Sequence, residues 1–323
     1  MIVVTGGAGF IGSAVVWKLN QLGKNNIIIV DELGKDEKWK NLVGLTFDDF
    51  INKNKFLGLL NDKYLKDSDT FIHMGANSST TEKDADLLLT NNYNYTKSLA
   101  EFCLQNKIRF IYASSAATYG DGSLGFDDDE KNCEDLRPLN MYGYSKSLFD
   151  NWAQHHGAFE EIVGIKYFNV YGPNEYHKGD MRSVVHKAFE QVRETGKVKL
   201  FKSGNPKYTD GEQLRDFVYI KDAVDMTLHF FEHKEKGGLY NVGSGKARTW
   251  KDLVNSLFTA MDIPANIEYI DLPKPLADKY QYFTEANLTK IKKAGYKKLI
   301  TSLEDGVADY VKNYLIGKQY LGM

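Results

Sequence analysis

The stretch Thr5-Gly6-Gly7-Ala8-Gly9-Phe10-Ile11-Gly12 decides how this sequence folds. A short apolar run, Ile2–Val4, precedes it, and Ile11–Leu22 follows with apolar residues at helical spacing. Small residues at 6, 9 and 12 let the backbone turn sharply, approach a diphosphate and pack the helix against the strand. The helix start then offers free N–H groups and a partial positive charge to phosphates. Glycines alone would say little, because any tight turn uses them. With a strand before and a helix after, they form a dinucleotide-binding pattern. Asp31 closes the next β-branched run, Ile27–Asp31, about 20 residues on, where an acid bonds a ribose hydroxyl. Its plainer reading is a solvated acid at a strand end.

Outward from this turn, strand-like and helix-like stretches alternate. Thr70–Gly75 and Arg109–Ser114 repeat the strand theme, and Leu87–Gln105 between them reads as helix. Asp121–Pro138 reads as a long surface loop, followed by a helix at Ser145–His156 and a strand at Ile162–Phe168. Beyond Tyr171, short strands (Val198–Phe201, Phe217–Ile220, Leu239–Val242, Ile267–Ile270) mix with helices Trp250–Met261 and Ser302–Tyr314. The expected fold is α/β: a Rossmann-type doubly wound parallel sheet with a smaller C-terminal α/β substrate lobe. Residues 1–171, with parts of 215–245, are expected to form the dinucleotide-binding domain. The lobe is drawn mainly from 172–323 and interleaved with it.

Composition narrows the class. The 323 residues can bury one large core, or one core and a smaller lobe. A net charge of −2 with no basic run makes nucleic acid a poor partner. Cys103 and Cys133 have no metal-like neighbours and leave room for one disulfide at most, so no metal is expected. No apolar run approaches the roughly 18–20 residues that cross a bilayer, and no basic leader precedes Ile2. A cytoplasmic setting without membrane attachment is expected.

Tyr142-Gly143-Tyr144-Ser145-Lys146 contains Tyr-x-x-x-Lys, and positions four apart share a helix face. An ammonium beside a phenol favours phenolate, and so is expected to lower the Tyr142 pKa from about 10. Such a base takes a hydroxyl proton while hydride leaves for a nicotinamide, whose ribose Lys146 also binds. Chance pairs are common among 20 tyrosines; Tyr93 and Lys97 make another. The context favours Tyr142: Ser114-Ser115 ends an earlier strand, and Ser115 can bond the reacting alcohol or simply cap that strand. For the cofactor, Asp31 would repel a ribose 2′-phosphate, whereas Lys35, Lys38 and Lys40 could neutralise one. On charge alone NAD and NADP are balanced.

Together these residues resemble the extended short-chain dehydrogenase/reductase family. Tyr167-Phe168-Asn169-Val170-Tyr171-Gly172-Pro173 and Arg215-Asp216-Phe217-Val218-Tyr219 add to the match, which spans nearly the whole chain. Within the family the details look like a bacterial group that epimerises an ADP-linked heptose for lipopolysaccharide core synthesis. Those details are Asp31–Leu42, Ser78–Glu82, Ser114–Gly120, Gly172–Gly179 and Tyr280–Thr284. The resemblance implies NADP, with Lys38 meeting the 2′-phosphate and NAD as the alternative. It implies further cofactor contacts from Phe10, Ile11, Glu32, Lys53, Gly75, Ala76, Asn77, Ser78, Asn91, Lys146, Val170 and Lys178. For the sugar nucleotide it implies Ser115, Asn169, Asp180, Lys187, Phe201, Lys202, Ser203, Gly204, Arg215 and Tyr280. A guanidinium fork also suits a diphosphate on physical grounds, the plainer role of Arg215 being an ion pair with a nearby acid. By analogy with the group, the chain would assemble as a homopentamer.

The sequence departs from the group's pattern at Met74, where glutamate is common, at Asp180 in place of serine, and at Lys187, where histidine is expected beside His186. Inverting an unactivated alcohol carbon needs transient oxidation to a ketone and hydride return. Two acid–base groups on opposite sides serve this, and the expected pair is Tyr142 and Lys178. A lysine in that role needs a lowered pKa. The nearest rival, a 4,6-dehydratase, commonly uses an Asp-Glu pair where this chain has Ala116-Ala117, which move no protons. A UDP-hexose 4-epimerase shares nearly all the machinery. A regulator that binds dinucleotide without turnover is opposed by the intact Ser115, Tyr142 and Lys146.

Overall fold

The computed structural model describes residues 1–273 and 280–323. Seven strands form its main sheet: β1 (Ile2–Thr5), β2 (Ile27–Asp31), β3 (Asp49–Asn52), β4 (Thr70–His73), β5 (Arg109–Ser115), β6 (Val163–Tyr167) and β7 (Gly238–Val242). Their order is β7-β6-β5-β4-β1-β2-β3, and every pairing is parallel. The chain runs outward from β1 in one direction and then in the other. The carboxyl end of β1 is therefore the switch point at which doubly wound sheets leave a crevice.

Alternation along each strand explains the two-sided cover. Val4, Ile29, Ile72, Ile111 and Ile165 point into one apolar layer, with Ala14 and Val15 of helix α1 (Phe10–Gln21). Val3, Ile28, Phe71, Phe110 and Tyr112 point into the other, with Leu99 and Cys103 of α2 (Tyr95–Asn106) and Phe149 and Trp152 of α3 (Met141–His155). Strands buried on both faces need apolar residues at successive positions. This is why Ile2–Val4 and Ile27–Val30 carry no polar break. Each such side chain, fully buried, stabilises the fold by about 1.5–3 kcal/mol.

Outside the main sheet, Leu214–Tyr219 pairs with Ala247–Thr249 and Asn169–Tyr171, and Val198–Phe201 pairs with Ile267–Ile270. Further helices are α4 (Val184–Thr195), α5 (Ile220–Glu232), α6 (Trp250–Ala260) and α7 (Leu303–Tyr310). Among the described residues no helix is long and apolar enough to cross a membrane.

Two expectations are corrected. Leu87–Gln105 is not one regular helix: Ala85–Leu88 and α2 are joined by a π-helical turn at Leu89–Asn94. Asp121–Pro138 is not merely a surface loop, because Phe126, Asp128, Cys133 and Leu136 are buried. The Asp128 carboxylate accepts the Asn241 amide N–H at 2.7 Å, and the Phe126 carbonyl accepts Asn241 Nδ2 at 2.9 Å. The segment thereby covers the outer edge of β7, which would otherwise expose unpaired backbone groups. Both cysteines are buried and free.

Candidate active site

A cavity of about 590 Å³ opens at the carboxyl ends of β1, β2, β4 and β5. One wall is the glycine turn. Gly6 has φ of +66°, and a Cβ there would lie 2.5 Å from the Gly75 amide nitrogen. Two backbones meet at this point, and a side chain would part them. The start of α1 at Gly9 has no side-chain cap, so its first N–H groups face the cavity without a partner from a capping residue. Gly6, Gly9, Phe10, Ile11, Gly12, Gly75, Ala76, Ser78 and Asn91 all line the cavity.

At the end of β2, Asp31 is held by three donors. Its Oδ2 accepts the Ala8 N–H at 2.9 Å, while Oδ1 accepts the Glu32 N–H at 2.7 Å and Lys38 Nζ at 2.6 Å. Glu32 pairs with Lys53 at 2.7 Å. Asp31 and Glu32 are thus each covered by an ammonium, and all four residues are on the cavity wall, together with Asp36, whose carboxylate accepts the Lys38 backbone N–H. His177 lines the same end, its pKa pushed down to about 4 by burial and by the Lys38 charge.

At the centre are Ser115 from the end of β5, and Tyr142 and Lys146 from one face of α3. Asn140 caps α3 by accepting the Gly143 N–H at 2.8 Å, which starts the helix with Tyr142 in its first turn. The expected lowering of the phenol's pKa is reversed. Burial raises Tyr142, the Asp150 carboxylate adds to the rise, and a hydrogen bond with Ser115 opposes it. The Lys146 ammonium instead donates to the Ala113 carbonyl at 2.8 Å, and burial pushes its pKa down to about 8 against Asp150. Asp150, one further turn along α3, accepts Tyr112 Oη at 2.8 Å and Ser114 Oγ at 2.7 Å, and lies 3.7 Å from Lys166 Nζ.

Lys178 reaches the cavity from a different element, the 3₁₀ turn Tyr176–Met181, with its ammonium 5.0 Å from the centre of the Phe10 ring. Burial lowers its pKa, and Glu175 opposes the shift. Asn169 and Val170 also line the cavity.

The remaining sugar-side expectations lie off this wall. Arg215 and Tyr280 sit behind Trp250, which is on it. The Arg215 guanidinium is 5.2 Å from the Tyr280 ring and 5.7 Å from that of Trp250, whose Nε1 donates to Tyr280 Oη at 3.0 Å. Arg215 donates to the carbonyls of Leu214 and Gln281, and no carboxylate pairs with it among the described residues. Gly204 continues this aromatic annex, with a Cβ there falling 2.9 Å from Tyr282 Oη. Phe201 accepts from Gln213 through its carbonyl, Lys202 pairs with Asp271 at 2.9 Å, and the Ser203 N–H is taken by Asp210. Asp180 is exposed, and its carbonyl accepts Lys187 Nζ at 2.8 Å; these two tie each other down rather than face the cavity. Asn77 also lies off the wall, its N–H given to Asn92 Oδ1 at 2.8 Å.

Sequence reasoning passed over Thr5, His73, Tyr95, Phe217, Trp250, Arg182 and Ser183, which all line the cavity. His73 is the clearest case. It bonds Thr5 Oγ1 on one side and Thr96 Oγ1 at 2.8 Å on the other, and burial pushes its pKa down to about 3. Its position at the end of a strand beside the glycine turn was the available signal.

A family model described as the NAD dependent epimerase/dehydratase family matches residues 2–243. The chain belongs to that family. Among members of this epimerase/dehydratase family, an ADP-L-glycero-D-manno-heptose-6-epimerase of Nitratidesulfovibrio vulgaris is 54% identical over 316 residues, covering 98% of both chains. The crystal structure of the Helicobacter pylori ADP-L-glycero-D-manno-heptose-6-epimerase superposes with a TM-score of 0.82 at 30% identity, covering 97% of this chain and 95% of that one. A Bacillus cereus UDP-glucuronic acid 4-epimerase, in complex with UDP-glucuronic acid and NAD, superposes with a TM-score of 0.77 at 27% identity, covering 98% and 99%.

Proposed function

We propose that the chain is an NADP-dependent epimerase that inverts C6 of ADP-D-glycero-D-manno-heptose to give the L-glycero product. The observation that carries this is one cavity presenting the uncapped start of α1, the Ser115–Tyr142–Lys146 cluster and Lys178 on separate elements. The named relative at 54% identity supports the particular sugar nucleotide.

The residues fit a dinucleotide. The glycine turn admits a diphosphate because no Cβ stands in the way, and the first N–H groups of α1 face it. Lys38, already against Asp31 at 2.6 Å, supplies positive charge for a ribose 2′-phosphate, with Lys53 beside Glu32. This pairing favours NADP over NAD. A dinucleotide held there would supply the hydride acceptor, and then the hydride donor, for the sugar carbon.

Tyr142 takes the proton of the reacting hydroxyl as that carbon is oxidised, and Ser115 holds the oxygen. Lys146, fixed by the Ala113 carbonyl, stays where its charge stabilises the phenolate once the alcohol and ribose fill the site. Lys178 supplies the proton at the opposite face, and its lowered pKa suits it to give one up. Arg215, with only carbonyls and rings around it among the described residues, keeps its charge free for the substrate's diphosphate.

Proton NMR of the product formed from ADP-D-glycero-D-manno-heptose, with UDP-galactose in a parallel reaction, tests the substrate. Conversion of the heptose alone is expected. Conversion of UDP-galactose alone would make the chain a hexose 4-epimerase.

A further inference from the structure

Tyr142, Lys146 and Asp150 recur at four-residue steps and so form one stripe along α3. The stripe is fastened to the end of β5 residue by residue. Tyr142 hydrogen-bonds Ser115, and Lys146 Nζ donates to the Ala113 carbonyl at 2.8 Å. Asp150 takes the two remaining side chains: Ser114 Oγ donates to its Oδ2 at 2.7 Å and Tyr112 Oη to its Oδ1 at 2.8 Å. Behind the carboxylate, Lys166 Nζ stands 3.7 Å from Oδ2 and donates to Thr118 Oγ1 at 2.9 Å. Asp150 and Lys166 are each 1% exposed, and the proposed reaction uses neither.

A clamp alone would not need this charge. An asparagine could bond both hydroxyls, and a buried ion pair is often no more stabilising than apolar residues of like volume. Other groups facing the stripe do not supply it. Burial keeps Tyr112, Tyr119, Cys133 and His73 uncharged: it holds both phenols well above their ordinary value, pushes the thiol up to about 12 and pushes the imidazole down to about 3. Glu130 is paired with Lys290 at 2.5 Å, and Tyr93 is a half-buried phenol. Asp128, also buried, is bonded to the Asn241 amide of β7, two strands away from β5. Asp86, Lys131, Glu134, Asp135 and Glu160 are exposed, as are Tyr144 and His155 on α3 itself, and Lys97 pairs with Glu101. Among the described residues, Asp150 is the one buried acid bonded to β5 and carried by α3.

We propose that Asp150 is a positioning residue that decides which member of the Tyr142–Lys146 pair carries the proton. This rests on the reading of Tyr142 as the base. When the pair holds one proton, two arrangements compete. Phenolate beside ammonium can take the substrate's proton; phenol beside amine cannot. Asp150 is one helical turn from Lys146, about 6 Å between Cβ atoms, and two turns, about 11 Å, from Tyr142. Its negative charge therefore favours the nearer ammonium more than it opposes the farther phenolate. At an effective dielectric of about 20, the difference is worth about tenfold in favour of the active arrangement. Lys166 keeps the carboxylate ionised against its burial, with help from the two hydroxyls.

Asp150→Asn keeps the shape and removes the charge, whereas Asp150→Glu keeps the charge and alters the shape. Turnover at saturating substrate, followed from acid to alkaline pH, tells the two apart. In Asp150→Asn the maximum should fall about tenfold and the alkaline limb should move about one to two pH units toward acid, because Lys146 gives up its proton more readily. KM should stay within about twofold, since no substrate contact is lost. In Asp150→Glu the limb should stay where the parent has it, whatever the maximum. If Asp150→Asn does not fold, as judged by melting and dinucleotide content, adding Lys166→Met removes the stranded ammonium. The limb of that double variant should still lie on the acid side of the parent's. An unmoved limb without the carboxylate, or an equal movement in Asp150→Glu, would overturn the proposal and leave Asp150 a packing role. Tyr142→Phe separates the two readings: normal turnover in that variant would remove the phenol itself from the reaction, whatever the Asp150 variants show.

Discussion

Replacing Lys38 by alanine should shift the proposed preference for NADP toward NAD. The ammonium lies 2.6 Å from Asp31 Oδ1 and 3.0 Å from the Glu32 carbonyl, at the end of β2 where the adenosine ribose would sit. Its removal has two consequences of the same sign for a 2′-phosphate. A charge-assisted contact worth about 1.5–3 kcal/mol is lost. The uncovered Asp31 carboxylate also repels the phosphate; two unit charges about 5 Å apart at an effective dielectric of about 20 interact by about 3 kcal/mol. Salt and solvent at the cavity mouth reduce this to about 1 kcal/mol. A total near 3 kcal/mol corresponds to about 150-fold weaker NADPH binding. NADH carries a hydroxyl there, which the freed carboxylate can accept, so its affinity should stay within about threefold. Titration of dinucleotide-free protein with each cofactor, followed by nicotinamide fluorescence at low salt, measures both. An equal loss for the two cofactors, or no loss for NADPH, would refute the reasoning.

Lys178→Met should lower turnover by about 10²–10⁴-fold while dinucleotide stays bound, read from kcat and from the cofactor released on denaturation. Gly12→Ala puts a Cβ onto the Gly6 carbonyl and 2.9 Å from Gly7 Cα, so the phosphate turn must retreat. The purified variant should lack dinucleotide and lose about 1–3 kcal/mol of stability, whereas Gly58→Ala, which meets nothing within 4 Å, should be neutral or stabilising on melting. Acid should weaken the fold through His73, whose folded pKa is lowered to about 3 from an ordinary 6.5. Below 6.5 the unfolded chain binds a proton that the folded chain refuses. Stability is therefore full above that pH and falls toward pH 3 by about 1.4 kcal/mol per pH unit from this group. Urea midpoints at pH 7 and pH 5 should differ, and the difference should shrink in His73→Asn.

What the sequence revealed follows from where local chemistry is unforgiving. The turn at Gly6–Gly12 was legible because two backbones and a helix start meet there and tolerate no side chains. Tyr142 and Lys146 were legible because helical spacing places them on one face. The direction of the Lys146 ammonium was not, since it depends on the Ala113 carbonyl at the end of a strand some thirty residues earlier. The rise in the Tyr142 pKa was hidden for the same reason: burial and Asp150 are properties of packing, not of spacing. His73 looked like one more strand residue until β4 was set beside β1. The arrangement of the residues expected on the sugar side was the least legible. Arg215 and Tyr280 meet only because Leu214–Tyr219 and the segment from Tyr280 converge on Trp250, a long-range arrangement without a local signature.

Transient oxidation with return of the same hydride can be followed directly by running the reaction to completion in deuterium oxide and examining the product's C6 position by NMR. Full retention of protium at C6 is expected, because a hydrogen that leaves and returns as hydride does not exchange with water. Deuterium at C6 would mean that the carbon exchanges its hydrogen as a proton with solvent, and would contradict the hydride chemistry assigned to this site.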